Sequence, residues 1–268
     1  MTPIVDFHTH AFPDQLAARA VPALAEKGNV RPRLNGTTGD LLNSMDLAGI
    51  ERSVICSIAT RPEQFDSIVA WSATIRSVRL IPLPSVHPDD PLVHDRIRII
   101  REEGFKGIKL HPYYQDFFLD EPRMMRIYES VNRHDLLLVM HTGFDIAFPR
   151  IRRADPQKII AVTRRFPDLK LITTHLGGWD DWDEVRRKLI GRPIYMDLSF
   201  SLHYLPPSAA RRLLLDHPAD HLLFGSDSPW EDQARALQLL RNLALEKSIE
   251  EKILWKNAHR LLKACRQR

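Results

Sequence analysis

At 268 residues, 44% hydrophobic and 27% charged, the chain has an ordinary globular balance and the length of one (β/α)8 barrel or two small domains. Its +4 net charge is scattered, with Arg150-Ile151-Arg152-Arg153 and Arg186-Arg187-Lys188 the densest groups, which argues against a nucleic-acid-binding tail. Two cysteines (Cys56 and Cys265), no run of ~18 apolar residues and no basic leader with an apolar core argue against a disulfide framework, a membrane span and a signal peptide, so a cytoplasmic protein is expected.

The first element is the apolar run Ile4-Val5-Asp6-Phe7-His8-Thr9-His10. On a strand, residues two apart share a face, so His8 and His10 project together with Asp6 beneath them. Two adjacent imidazoles are half of a metal site or a solvated pair, and only a fuller ligand set decides between these. Residues 11–39 follow, broken by Pro13, Pro22, Gly28, Pro32 and Gly36, with a helix expected near 15–27. A connection this long reads as a lid or binding loop. Asp40 is then expected to cap a helix running through Gly49.

From there strands and helices alternate. Strand-like runs at 53–58, 80–86, 105–111, 136–141, 169–175, 194–199 and 221–227 precede helical stretches at 62–76, 91–103, 121–133, 155–166, 181–190, 207–216 and 233–245. Residues 248–265 read as one or two closing helices. Prolines make 80–86 the weakest strand of the set. Eight strand–helix units favour one closed parallel barrel spanning 1–268, and no Gly-x-Gly-x-x-Gly follows the first strand to support a dinucleotide fold.

A (β/α)8 barrel builds its site at the C-terminal ends of its strands. His8 and His10 end the first strand, Lys109 and His111 the fourth, His141 the fifth, His175 the sixth and Asp227 the eighth. Five of twelve histidines thus gather at one rim. His94, His134, His217, His221 and His259 read as structural, and His87 and His203 as caps or exposed residues.

The ordered set Asp6-Phe7-His8-Thr9-His10, Gly107-Ile108-Lys109-Leu110-His111-Pro112, His141-Thr142-Gly143, Thr174-His175-Leu176-Gly177-Gly178 and Gly225-Ser226-Asp227-Ser228-Pro229-Trp230 resembles the amidohydrolase superfamily. The branch it is most similar to is the amidohydrolase-related group that includes aminocarboxymuconate-semialdehyde decarboxylase and lactone hydrolases, and Asn257-Ala258-His259-Arg260-Leu261-Leu262 is like that group's closing helix. With the histidine pair already at residue 8, no β-sandwich is expected before the barrel.

The resemblance implies one divalent metal held by His8, His10, His141 and Asp227, with His175 beside the reacting water. Zn²⁺ suits such ligands best, and Mn²⁺, Fe²⁺ or Co²⁺ are compatible with them. His175 or Asp227 would accept the proton and return it to the leaving group. Asp6 would orient an imidazole or make a structural hydrogen bond. A carboxylated Lys109 bridging a second metal is the less favoured role for that residue. Lys109 or His111 is expected instead to bind an anionic group or polarise a carbonyl.

Tyr113, Tyr114, Phe117, Phe144, Phe148, Trp179, Trp182 and Trp230 all follow strand ends, and about half are expected to line the pocket. Arg150, Arg152 and Arg153 are placed to clamp a carboxylate. Arg150, Trp179 and Trp230, with Lys109 and His111, are the substrate-binding candidates. The expected function is hydrolysis of a lactone, amide or related bond in a small, anionic, cyclic or aromatic substrate. Non-oxidative decarboxylation on the same metal is the alternative. A metal-free binding protein is disfavoured by the complete ligand set, and a nuclease of the TatD type by Lys109, where that type carries an acid. A small-molecule substrate is the expected partner, and a homodimer is left open.

Overall fold

In the computed structural model, which describes residues 3–264, eight parallel strands alternate with helices around one axis. The strands are β1 Val5–Thr9, β2 Arg52–Cys56, β3 Leu80–Leu83, β4 Gly107–Leu110, β5 Leu137–Met140, β6 Leu171–Thr173, β7 Tyr195–Asp197 and β8 Leu222–Leu223. Neighbours in sequence are neighbours in space, and the ladder runs as β1-β2-β3 and β4-β5-β6-β7-β8. The β3–β4 seam is closed by the hydrogen bond from Lys109 N–H to Pro84 O (2.9 Å), and the β8–β1 seam by three, from Phe7 N–H to Phe224 O (2.8 Å), Asp227 N–H to His8 O (2.8 Å) and His10 N–H to Ser228 O (2.6 Å). The result is one α/β barrel with no further domain among the described residues. Cys265, the second cysteine, lies outside them.

The thin β3–β4 seam has a cause in sequence. Leu83 O accepts from Ser57 on the β2 side, whereas Pro84 O accepts from β4. Alternate residues of a strand bond to opposite neighbours, so Pro82 and Pro84 both turn toward β4 the edge on which they have no N–H to donate.

The strands are shorter than the apolar runs. His10, His111, His141, His175 and Asp227 all lie just past the last ladder residue. Two of them leave the strand sharply, His175 at φ 56° and Asp227 at φ 70°. Left-handed backbone at non-glycine residues persists only where surroundings hold it. The N–H of His175 donates to Asp197 Oδ1 (3.1 Å), and that of Asp227 to His8 O (2.8 Å).

β1 carries an irregularity that changes the reading of its side chains. Its register against β2 slips between Asp6 and Thr9. A bulge of one residue puts the residues on either side of it out of alternation. Val5 and Phe7 pack inside the barrel with Val54, Leu137, Val139 and Ile172, while Asp6 faces outward. Asp6 accepts from Ser226 N–H (2.9 Å), Ser226 Oγ (2.6 Å) and Gln233 Nε2 (2.8 Å), and touches no imidazole. Burial pushes its carboxyl up to about 6, against these hydrogen bonds. Of the two roles expected for Asp6, the structural one is observed.

The helices are α1 Asp14–Gly28, α2 Thr38–Ala48, α3 Phe65–Ile75, α4 Val93–Glu102, α5 Pro122–Arg133, α6 Pro156–Arg165, α7 Trp182–Lys188, α8 Pro207–Asp216, α9 Gln233–Arg241, α10 Lys247–Glu251 and α11 Asn257–Ala264. The expected cap of α2 moves: Thr37, not Asp40, accepts the hydrogen bond, from Asp40 N–H (3.1 Å). The Asp40 carboxylate instead turns back to the N–H of Asn35 (2.8 Å). α11 closes the end of the barrel away from the histidines, placing Ala258, Leu261 and Leu262 against Val5 and the inner apolar cluster. A larger core lies between the strands and the outer helices.

His217, at the end of α8, is 3% exposed. Its Nε2 donates to Ile194 O (2.9 Å) and its Nδ1 has no partner. Burial pushes its pKa from 6.5 down to about 4. The unfolded imidazole therefore binds a proton that the folded one refuses. The resulting stabilisation is complete above pH 6.5 and is lost as pH falls to about 4, a span worth about 3 kcal/mol. His217→Gln keeps the donor and removes the titration. Urea unfolding from pH 4 to 7 should show a shallower pH dependence in the variant, and parallel curves would contradict this origin.

Candidate active site

The residues past the strand ends line one cavity of about 660 Å³ at the C-terminal rim. His8, His10, Lys109, His111, His141, His175 and Asp227 all contribute to it, as do Trp179 and Trp230.

Tautomers follow from the second nitrogen of each ring. His10 Nδ1 donates to Cys56 O (2.8 Å), so in the neutral ring Nε2 carries the lone pair, 3.2 Å from Asp227 Oδ1. His8 Nδ1 donates to Asp197 Oδ2 (3.0 Å), so its Nε2 also presents a lone pair, 3.4 Å from the same Asp227 oxygen. Burial, then the charge of Lys109, holds the His8 pKa well below the ordinary range, and this ring is neutral.

Two nitrogen acceptors and one carboxylate oxygen thus converge within 4.8 Å. Acceptors facing one another without shared protons repel, and a cation among them removes the conflict. The donor set of two imidazoles and a carboxylate suits a divalent metal such as Zn²⁺. Lys109 Nζ, fully buried, lies 3.2 Å from His8 Nε2 at the edge of this group, and burial lowers its pKa. Burial pushes the Cys56 thiol up to about 12, so it presents no thiolate.

His141 does not join these three. It forms a second group with His111 and Asp145, whose ligand atoms also lie within 4.8 Å of one another. The His111 and His141 rings stack at 4.0 Å, and Asp145 Oδ2 is 3.3 Å from His111 Nε2. His141 Nδ1 faces His175 Nε2 at 3.1 Å, and its Nε2 faces Phe144 O at 3.1 Å. The ligand set implied by the resemblance is therefore split. The reason is local: the stack on His111 and the Phe144 carbonyl turn the His141 ring away from Asp227.

Three contributors escaped the reading of the sequence. Asp197, at the end of β7, accepts from His8 Nδ1 on Oδ2; on Oδ1 it accepts from the N–H groups of His175 (3.1 Å) and Ser199 (3.0 Å) and from Ser199 Oγ. Ser199 O accepts from His175 Nδ1 (2.9 Å). The signal was present, since 194–199 is an apolar run ending in polar residues like the other strands. Asp145, four residues past His141, lay in a loop whose path the sequence does not give.

The arginines are a correction. Arg150 pairs with Asp180 and lies over the Phe144 ring, Arg152 pairs with Asp181 (2.6 Å) and Arg153 with Asp116 (2.7 Å). None lines the cavity. Loop aspartates neutralise them before any substrate can. Of the eight aromatic residues, Tyr114, Phe144, Trp179 and Trp230 line it. Phe117 is core, Tyr113 donates to Ile151 O (2.5 Å) and Trp182 Nε1 donates to His175 O (3.1 Å). The segment after β1, expected as a lid or binding loop, lines the cavity as a wall through α1.

A family model described as Amidohydrolase matches residues 5–264. Among solved structures, the chain is similar to an uncharacterised TIM-barrel protein from Bordetella bronchiseptica, with a TM-score of 0.78, 21% identity and coverage of 98% of this chain and 99% of that one. It is also similar to 5-carboxyvanillate decarboxylase from Sphingomonas paucimobilis (TM-score 0.71, 15% identity, 98% and 99% covered). A third is a Pseudomonas putida protein provisionally assigned as a 2-pyrone-4,6-dicarboxylic acid hydrolase (TM-score 0.69, 16% identity, 100% of both chains). No curated protein matches the chain.

Asp197→Asn tests the tautomer argument. The amide oxygen of the variant can keep the three bonds of Asp197 Oδ1, but its amide nitrogen then faces His8 Nδ1 as a donor. His8 must move its proton to Nε2, the atom that faces Asp227. Calorimetric titration with Zn²⁺ should show affinity reduced about 10- to 100-fold with the circular dichroism unchanged. Wild-type affinity would refute the assignment.

Proposed function

The chain belongs to the amidohydrolase family, and from that premise we propose that it is a metal-dependent hydrolase acting on a lactone, amide or related carbonyl bond of a small molecule. The observation that carries the proposal is the meeting of His8 Nε2, His10 Nε2 and Asp227 Oδ1, three acceptors that a divalent cation reconciles. When bound, that cation supplies Lewis acidity, polarising a carbonyl and acidifying water.

The residues of the chain then divide the remaining work. Asp197 and Cys56 O fix the rings of His8 and His10 so that each offers Nε2 to the centre. His175, with Nδ1–H committed to Ser199 O, keeps Nε2 to accept a proton from the attacking water and return it to the leaving oxygen or nitrogen. Asp227 offers a second acceptor beside it. Lys109 supplies a donor for the substrate carbonyl from within hydrogen-bond reach of the same centre. Trp179, Trp230 and Phe144 shield the centre from bulk water.

A second reading, non-oxidative decarboxylation on the same centre, draws on the similarity to 5-carboxyvanillate decarboxylase and to 2,6-dihydroxybenzoate decarboxylase from Rhizobium. Acid release from lactones against CO₂ release from aromatic carboxylates separates the two. In the hydrolytic reading only the first is observed.

Two variants separate the roles of the residues. His8→Ala should lose metal and activity together. His175→Asn should hold metal near the wild-type content while activity falls about 10²-fold or more. Elemental analysis beside turnover reads both, and identical behaviour of the two variants would show the roles to be wrong.

A further inference from the structure

The cavity is far larger than the polar centre needs. At about 660 Å³ it has some four times the room of the ~150 Å³ cavity that accommodates a benzene ring. Its ionisable residues gather around the two histidine groups, and a largely apolar arm, with Thr60, Gln64 and Ser67 as its polar members, extends to α1 and α3. On α1 the arm is walled by Leu16, Ala20 and Leu24, and on α3 by Ile68 and Trp71. The α1 residues are spaced four apart and so share one helix face. A different stripe of α1, Ala17 and Val21, is buried in the protein body. The helix is therefore apolar on two faces, and the second one has no protein partner that buries it: Leu16 stays 43% exposed.

The charges around the cavity point the same way. No arginine lines it, and Lys109 is the one lysine among its described lining residues. Lys109 sits at the metal group, 3.2 Å from His8, and not in the arm. The nearby arginines 150, 152 and 153 are held by Asp180, Asp181 and Asp116. Asp145 and Asp227 add negative charge to the cavity wall. The charge of a divalent cation held there would be met by these carboxylates, so a further anionic group, away from the reacting carbonyl, would find one lysine and no bidentate partner.

We infer that the substrate is uncharged and carries, beside its one reacting carbonyl, a contiguous apolar group that lies between α1 and α3. This rests on the proposed function for the reacting end and reverses the anionic substrate expected from sequence. The reacting carbonyl stays at the histidines, and the apolar group covers Leu16, Ala20, Leu24, Ile68 and Trp71. Transfer of that group from water supplies binding energy, and the polar centre supplies orientation.

The test uses 2-alkylcyclopentanones, which share the shape of alkyl lactones and cannot be hydrolysed. Their binding to the full-length, zinc-loaded protein is followed by quenching of tryptophan fluorescence, since Trp71, Trp179 and Trp230 all line the cavity. From methyl to hexyl, Kd should fall about fourfold per methylene until the arm is full. A carboxylate at the chain end should weaken binding tenfold or more. Ala20→Trp, which fills the arm, should abolish the dependence on chain length. Leu16→Arg, at an exposed position, should reverse the discrimination against the carboxylated ketone. A Kd independent of chain length, or tighter binding of the carboxylated ketone by wild type, overturns the inference. Chain-length-dependent binding without hydrolysis of the matching lactones would leave the arm assigned and refute the proposed reaction instead.

Discussion

The structure depends on a conflict among acceptors. His8 Nε2, His10 Nε2 and Asp227 Oδ1 face one another inside a buried rim, and each is held there by a bond at its other end. Cys56 O holds His10, Asp197 holds His8, and the His8 carbonyl holds the N–H of Asp227. Removing any one of these partners would let a ring turn or a proton migrate. The constraint reaches into the barrel itself. The bulge in β1 is what lets Phe7 fill the interior and His8, the next residue, still reach the centre. Asp6 then becomes the tie between β1 and the loop carrying Asp227, through the backbone and hydroxyl of Ser226.

Much of this was legible in the order of residues. Eight apolar runs alternating with helices gave the barrel, and the five of them that end in His, Lys or Asp gave its working end, because strand ends and catalytic ends coincide in this fold. What escaped was whatever depends on a bond between distant parts of the chain. The pleat rule put Asp6 under His8, and the bulge moved it outward. The same pattern that marked His141 gave no means of seeing that its ring would stack on His111 and turn toward His175. Asp197 stood near the end of an apolar run like the other site residues, but the run did not show that burial and four accepted hydrogen bonds make it the pivot between β1 and β6. Arginine clusters looked like anion clamps until loop aspartates, 30 and 29 residues on from Arg150 and Arg152, were found to hold them.

The site and the cavity therefore divide their tasks. Near the histidines the rings of His8, His10 and His175 are fixed by protein acceptors, as catalysis by preorganised groups requires. Away from them the wall is aliphatic and aromatic, and α1 provides it. The segment after β1, which the sequence offered as a lid or binding loop, supplies that wall, and in our proposal it is the surface that selects the substrate. Barrels of this fold vary function through such loops while keeping the strand ends.

The central claim is that the facing acceptors are a metal centre. Elemental analysis of the purified protein, followed by titration of the chelator-stripped protein with Zn²⁺, tests it most directly. The account predicts one tightly held divalent ion per chain, lost on stripping and restored at one equivalent together with activity. A protein isolated without metal that takes up no Zn²⁺ would contradict it, and would leave Lys109 as the cation that the three acceptors share.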